Sequence, residues 1–431
     1  MTGLTRILPA DNFVGDTLLD VGDGILLVER WCSLGLSYRG RSPNGTLFNI
    51  SGIRLRKTAQ WIINQCFFGS CEEGIEMLVN STVGLISQNI VGSNNVIGIV
   101  CDNASSVRII DNDIQEGRVG SGSGSHAIDM RRAGSKMMIM DNRINNWEDT
   151  GILINLFGAT GDEELGVKCE GNHIEDTVGG ILVNEDGWVS IHSNTILNGK
   201  VLAGDVAAAG ITSAGSAEDI SICNNIIACK RDIPLTTARF NNGISVNSAR
   251  ATVNGNMIRN VRDSGILLNN VVDSIVVGNN IADVRAVPAQ LDGIREGGTA
   301  NNNIIVANQI KGTVTPFTLI GAATLVYANK GFNRMDIRDT SAGLETFLTG
   351  SVTWDPGSIA DAAVVSTTVT VTGAQITDFA LAVFDSVTGI DVLISAFVQS
   401  GNTVRVVLMN KTGAPLDLAS GTLSVSVFVP L

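Results

Sequence analysis

The densest group of residues able to do chemistry is acidic. Asp162, Glu163 and Glu164 sit in an insertion, L-F-G-A-T-G-D-E-E, and Glu185, Asp186 and Trp188 follow one sequence repeat later. Two carboxyl groups held about 5 Å apart suit a nucleophile and an acid that act in turn on a glycosidic bond, and a gap near 10 Å leaves room for an attacking water. In that reading Glu185 or Asp186 is the general acid, Glu163 or Glu164 the base or nucleophile, and Asp162 and Trp188 contact the sugar. The plainer alternative is that acidic turns are simply solvated and that Trp188 packs under a loop. A second set, Trp147, Glu148 and Asp149, shares its place in the repeat with Glu72, Glu73, Asp263 and Asp292, and is a candidate for substrate contact or for turn chemistry.

The elements that must position these groups are written as a refrain. Gly-Ile followed by apolar alternation occurs at Gly74, Gly98, Gly151, Gly180, Gly210, Gly243, Gly265 and Gly293, with Ala127 as a variant, at intervals of 22 to 33 residues. Its second half, Asn-x-Ile, is carried by Asn112, Asn142, Asn172, Asn194, Asn225, Asn256, Asn279 and Asn308, preceded by degenerate copies at Asn64 and Gln88. Such a period predicts a solenoid, and the short alternating runs make it all-β. The expected fold is a right-handed parallel β-helix of about ten coils, each about 4.8 Å from the next, followed by a small antiparallel β-sandwich. Residue pairs such as Ile152 and Ile154, or Ile266 and Leu268, point one way and should stack as the core. Asn at the refrain's turn is expected to adopt the left-handed conformation and to bond to the coils above and below, a structural role.

Four regions follow: a cap and attachment segment at 1–50, the coils at 51–330, a connector at 331–350 and the sandwich at 351–431, where runs such as T-V-R-V-V-L-M-N alternate between Gly-bearing turns. The chain's core side holds its length, whereas the step from each repeat Asn to the next repeat Gly varies from 8 to 18 residues, so loops on one edge build either a groove or a cover. The exception on the constant side is the insertion after Asn155. Outward apolar residues Val100, Leu153, Leu182 and Leu267 form a stripe that wants burial under loops or against another copy of the chain.

A net charge of -13 argues against nucleic acid and anionic membrane as partners, because neither is held without a basic footprint. No apolar run reaches a membrane span, and the N-terminus lacks a signal-peptide apolar region, so synthesis in a host cytoplasm without export is expected. The seven cysteines read as core packing without metal, no cofactor is expected, and His126, His173 and His192 share no ligand spacing. No P-loop, Gly-x-Ser-x-Gly or EF-hand loop is present, so covalent serine catalysis and nucleotide chemistry have no support.

Stacked coils with side loops, ending in T-W-D-P-G-S-I-A-D through G-N-T-V-R-V-V-L-M-N-K-T-G, resemble a bacteriophage tailspike, with a short-tailed cyanophage as the expected source. The resemblance implies a homotrimer on the virion, joined to the phage tail or an adaptor protein, that recognises a host-surface glycan and in some members degrades it as a hydrolase or lyase. A non-enzymatic decoration protein and a stand-alone polysaccharide enzyme are the alternatives. Two features depart from the family: the segment before the coils is short, and five Trp and two Tyr give few stacking platforms.

Overall fold

The computed structural model describes residues 5–10, 14–22, 28–29, 32–41, 49–78, 81–117, 124–132, 136–155, 166–184, 188–198, 209–214, 219–229, 240–285, 287–329, 346–387 and 392–429. Two compact units divide at Met335 and Asp336. The first is a parallel β-helix. Every strand pairing in it is parallel, and each coil contributes a Gly-Ile strand, a third strand and an Asn-x-Ile strand in turn. Register carries Ile53 onto Ile75, Ile99, Ile128, Ile152, Ile181, Ile211, Ile244, Ile266 and Ile294, all of them buried. The third strands stack Ile63, Ile86, Ile109, Ile139, Cys169, Ile191, Ile222 and Val253 in the same way.

The repeat glycine is a packing requirement. A Cβ on Gly243 would lie 2.4 Å from Ile258 Cγ2 and 2.6 Å from the Gly265 carbonyl oxygen, so the isoleucine of the Asn-x-Ile strand that follows occupies the space a side chain would need.

The asparagine column is a hydrogen-bond ladder through the core. Asn172 donates its backbone N–H and its Nδ2 to Asn194 Oδ1 at 3.0 and 2.9 Å, and Asn194 repeats both bonds to Asn225 Oδ1 at 2.9 and 3.0 Å. The same pairing runs from Asn89 through Asn112 and Asn142 and on to Asn308 and Asn329. Two expectations change here. The ladder residue does not itself take the left-handed turn; the residue before it does, as Asp111, Asp141, Ser193 and Asn224 at φ 54–57° and Gly255 at 65° show. The degenerate copies are also re-registered, because Asn89 rather than Gln88 joins the ladder, and Cys66 occupies the next place, donating its N–H to Asn89 Oδ1 at 2.9 Å.

The described strands of the N-terminal segment already belong to the coils. Thr17–Val21 pairs in parallel with Ser51–Arg56, putting Leu19 on Ile53 and Val21 on Leu55, so this segment extends the solenoid rather than preceding it. At the other end Glu296 stands in the inward column otherwise filled by Leu268 and Val246, and the chain folds over to satisfy it: Asn303 Nδ2, Thr324 Oγ1 and the N–H groups of Ile320 and Gly321 all donate to its carboxylate. The cysteines form no disulfide among the described residues, and all but Cys32 are buried.

The second unit holds two three-stranded antiparallel sheets. One joins Thr346–Trp354, Gly421–Val429 and Phe379–Phe384, the other Val364–Thr370, Thr403–Asn410 and Val392–Ser400, with Val404, Val406, Leu408, Leu423, Val425 and Val427 in the core. The first strand takes up the last residues of the expected connector; positions 330–345 lie outside the described residues.

Of the long side loops, the one after Asn280–Ala282 is described, and a buried ion pair holds it. Asp283 Oδ2 accepts the N–H groups of Ala289 and Gln290 at 2.7 and 2.9 Å and pairs with Arg285. Burial pushes the Asp283 carboxyl up, but the Arg285 bond and the N–H groups of Gln290, Ala289 and Arg285 outweigh it and bring it down to about 2.

Two outcomes are expected. Asn194→Ala removes the acceptor for two donors of Asn172, and at about 1–3 kcal/mol for an orphaned buried group the urea midpoint of the β-helix, followed by circular dichroism, should fall clearly. Because the Asp283 pKa is depressed, its contribution is complete above the unfolded value near 4 and is lost as pH falls toward 2. Hydrogen exchange in 283–291 should therefore accelerate over that range, and Asp283→Asn should already show the acid behaviour at neutral pH.

Candidate functional site

In the strand Trp188–His192, Val189 and Ile191 point into the core, which turns Trp188, Ser190 and His192 outward. Register places Gly166 beside Trp188, Lys168 beside Ser190 and Glu170 beside His192, while Ser221 and Cys223 flank Ser190 and His192 on the other side. Trp188 is 67% exposed, and a Cβ on Gly166 would meet nothing within 4 Å, so the space beside the indole is open on that side. Around it lie hydrogen-bonding groups: Lys168 Nζ pairs with Glu170 Oε2, and His192 Nε2 lies 3.2 Å from Ser221 Oγ. Ser221 Oγ is also 3.3 Å from Cys223 Sγ. The result is an aromatic platform at the head of a polar row, and among the described residues no loop packs over Trp188.

Asp162, Glu163, Glu164, Glu185 and Asp186 lie outside the described residues, but the ends of both segments that carry them are described. Asn155 pairs with Asn184, whose Nδ2 donates to Asn155 Oδ1 at 2.9 Å, and Gly166 pairs with Trp188. The two acidic segments thus leave and rejoin the sheets at neighbouring positions of consecutive coils, on the edge where Trp188 begins its strand.

The second candidate set does not form a platform. Trp147 is fully buried over Gly117, where a Cβ would come within 2.6 Å of its Cε3, so the indole is a core side chain and not a sugar contact. Glu148 and Asp149 are half-buried in the long strand Arg143–Asn155, and Asp149 Oδ2 accepts the Gly124 N–H at 2.8 Å, a tether between coils. Of their counterparts in the repeat, Asp263 and Asp292 face Arg295 at 3.8 and 4.0 Å.

The apolar stripe is likewise altered. Val100 and Leu153 are 1% and 8% exposed within the single chain, leaving Leu182 and Leu267 half-buried. At the N-terminal end the same outward column is ionic: Arg54 bonds to Asp16 Oδ2 at 2.7 Å and Glu76 Oε2 at 2.6 Å, and Ser51 Oγ lies 3.0 Å from Glu73 Oε2 and 2.8 Å from Glu76 Oε2. Burial, followed by the charge of Glu76, pushes the Glu73 carboxyl above its ordinary range. Asp129 and His126 continue the two rows, both buried, with Asp129 Oδ1 and His126 Nδ1 unbonded. Among the described residues no cluster of three or more His, Cys, Asp or Glu could hold a metal ion.

Sequence reasoning missed the meeting of His192 with Ser221. Its only trace is the phase of two alternating runs, W-V-S-I-H and S-I-C, which put both residues on the outward face once the coils are aligned.

Residues 50–227 match the family model described as a right handed beta helix region, which agrees with the hand expected of the crossovers. No curated protein matches the chain. Among solved structures, the A-module of Azotobacter vinelandii mannuronan C-5 epimerase AlgE6 is 12% identical, with 77% of this chain and 90% of that one covered and a TM-score of 0.47. A tailspike protein variant of E. coli bacteriophage HK620 in complex with pentasaccharide is 11% identical, with 93% and 71% covered and a TM-score of 0.45. The Dettilon tailspike protein is 12% identical, with 99% and 86% covered and a TM-score of 0.37. The one phage host named here is E. coli, and a cyanophage source stays an expectation from the sequence alone.

Proposed function

We propose that this protein is a tailspike-type receptor-binding protein whose β-helix holds a polysaccharide along the face headed by Trp188. The observation that carries the reading is the exposed indole itself. A large apolar ring costs free energy in water, whereas the stacked face of a sugar covers it and the neighbouring polar groups meet the hydroxyls. Lys168, Glu170, Ser190 and His192 supply donors and acceptors along the outward face that Trp188 heads. In the fuller form of the proposal the glycan belongs to a host surface, the protein stands on a phage tail directly or through an adaptor, and Glu185 or Asp186 works with Glu163 or Glu164 to cleave the chain. Their sequence position beside the platform supports that division of labour.

Self-association belongs to the same proposal. The edge strand Phe379–Phe384 presents Phe379, Leu381 and Val383 outward at 74%, 56% and 68% exposure, and a flat apolar edge of this kind wants cover. Three copies around an axis would supply it.

Retention of host-surface polysaccharide on the immobilised protein is expected, and Trp188→Ala should weaken it by about 1–3 kcal/mol, the range for losing an aromatic platform. Reducing-end release that survives Glu185→Gln with Asp186→Asn would remove those two residues from catalysis. Light scattering should return three times 45.2 kDa, and a monomeric mass would count against the tailspike reading.

A further inference from the structure

We propose that Ser221 and His192 form a nucleophile and base that remove acyl groups from an O-acylated polysaccharide whose sugar ring rests on Trp188. This deepens the glycan-binding reading above and rests on it. The hydroxyl and the imidazole stand at 3.2 Å, the separation expected of an activated serine, although they come from different coils and 29 residues apart in sequence. Both are partly exposed on the same outward face. Glu170 lies next to His192 across the ladder and pairs with Lys168, which sets a carboxylate beside the ring's strand. Ser190 separates Trp188 from the pair: two residues along the strand and one coil across place Ser221 about 8 Å from Trp188 between backbones. A ring stacked on the indole therefore presents a substituent toward Ser221 Oγ.

The step balances with water as the one co-reactant. Ser221 Oγ bonds to the acyl carbon while His192 Nε2 takes the hydroxyl proton; the bond from that carbon to the sugar oxygen breaks, and the proton passes to the sugar hydroxyl so formed. Water then attacks the acyl-serine, His192 accepts its proton and returns it to Ser221 Oγ, and a carboxylic acid leaves.

The test uses the full chain with three probes: a fluorophosphonate that labels activated serines, p-nitrophenyl acetate, and a chemically O-acetylated polysaccharide with acetate release as the readout. Labelling mapped to Ser221 by mass spectrometry is expected, with acetate release lowered at least about 100-fold in Ser221→Ala and His192→Gln. Trp188→Ala should slow acetate release from the polymer. An unlabelled Ser221 in the wild-type protein, or acetate release undiminished in Ser221→Ala, overturns the inference even where the polysaccharide is still retained. Labelling with no retention of any polysaccharide would overturn the glycan-binding reading instead and leave an esterase of smaller substrates.

Discussion

Each coil is tied to the next by the buried amide of one asparagine, and the rest of the solenoid depends on that bond. The chain must turn sharply between the third strand and the Asn-x-Ile strand, and at that corner the strand ladder leaves a main-chain N–H facing inward. An unpaired donor there costs about 1–3 kcal/mol. Asn194 Oδ1 accepts from both the N–H and the Nδ2 of Asn172, while its own Nδ2 reaches the Cys169 carbonyl oxygen at 3.0 Å and Asn225 Oδ1 at 3.0 Å. Every donor and acceptor of the amide is used. The left-handed residue before it can then vary among Asp, Ser, Asn, Ala and Gly, since it has only to adopt the turn.

With that corner fixed, the coils keep a common cross-section, and chemistry is displaced to the loops and the outward rows. Outward positions are free of the core's volume limits, so they range from ionic at Arg54 and Glu76, through apolar at Val100 and Leu153, to polar at Ser190 and Ser221. The same freedom lets residues distant in sequence meet. Stacking at about 4.8 Å sets Lys168, Ser190 and Ser221 in one row and Glu170, His192 and Cys223 in the next, with separations decided by the backbone and not by flexible side chains. A repeat of this kind is a ruled surface on which a long, repeating ligand can be read.

The ends of the β-helix show the cost of stopping. The last inward column would expose the edge of the core, and a buried carboxylate, Glu296, organises the closing turn through four donors. At the first end the solution is different, because irregular strands from the N-terminal segment simply add to the sheets. Among the described residues of the second unit no such cover is present over Phe379, Leu381 and Val383, which is where association has most to gain.

The β-helix was legible in the sequence because its constraint is local and repeated: each Gly-Ile needs the same small residue under the same isoleucine, and each corner needs the same amide. Spacing alone therefore determined the strands, the inward columns, the asparagine ladder and the change of grammar at the sandwich. It could not determine register to the residue, since Gln88 and Asn89 both satisfy a loose Asn-x-Ile pattern until the partner's N–H selects one. Nor could it tell Trp147 from Trp188. Both are aromatic residues near acidic ones, and burial is decided by a neighbour a coil away: Gly117 leaves a space that Trp147 fills, whereas Trp188 lies beside Gly166 and is left exposed among the described residues. The pairing of His192 with Ser221 was decided in the same way, by which rows the stacked coils bring together, a property of the tertiary structure that no linear spacing contains.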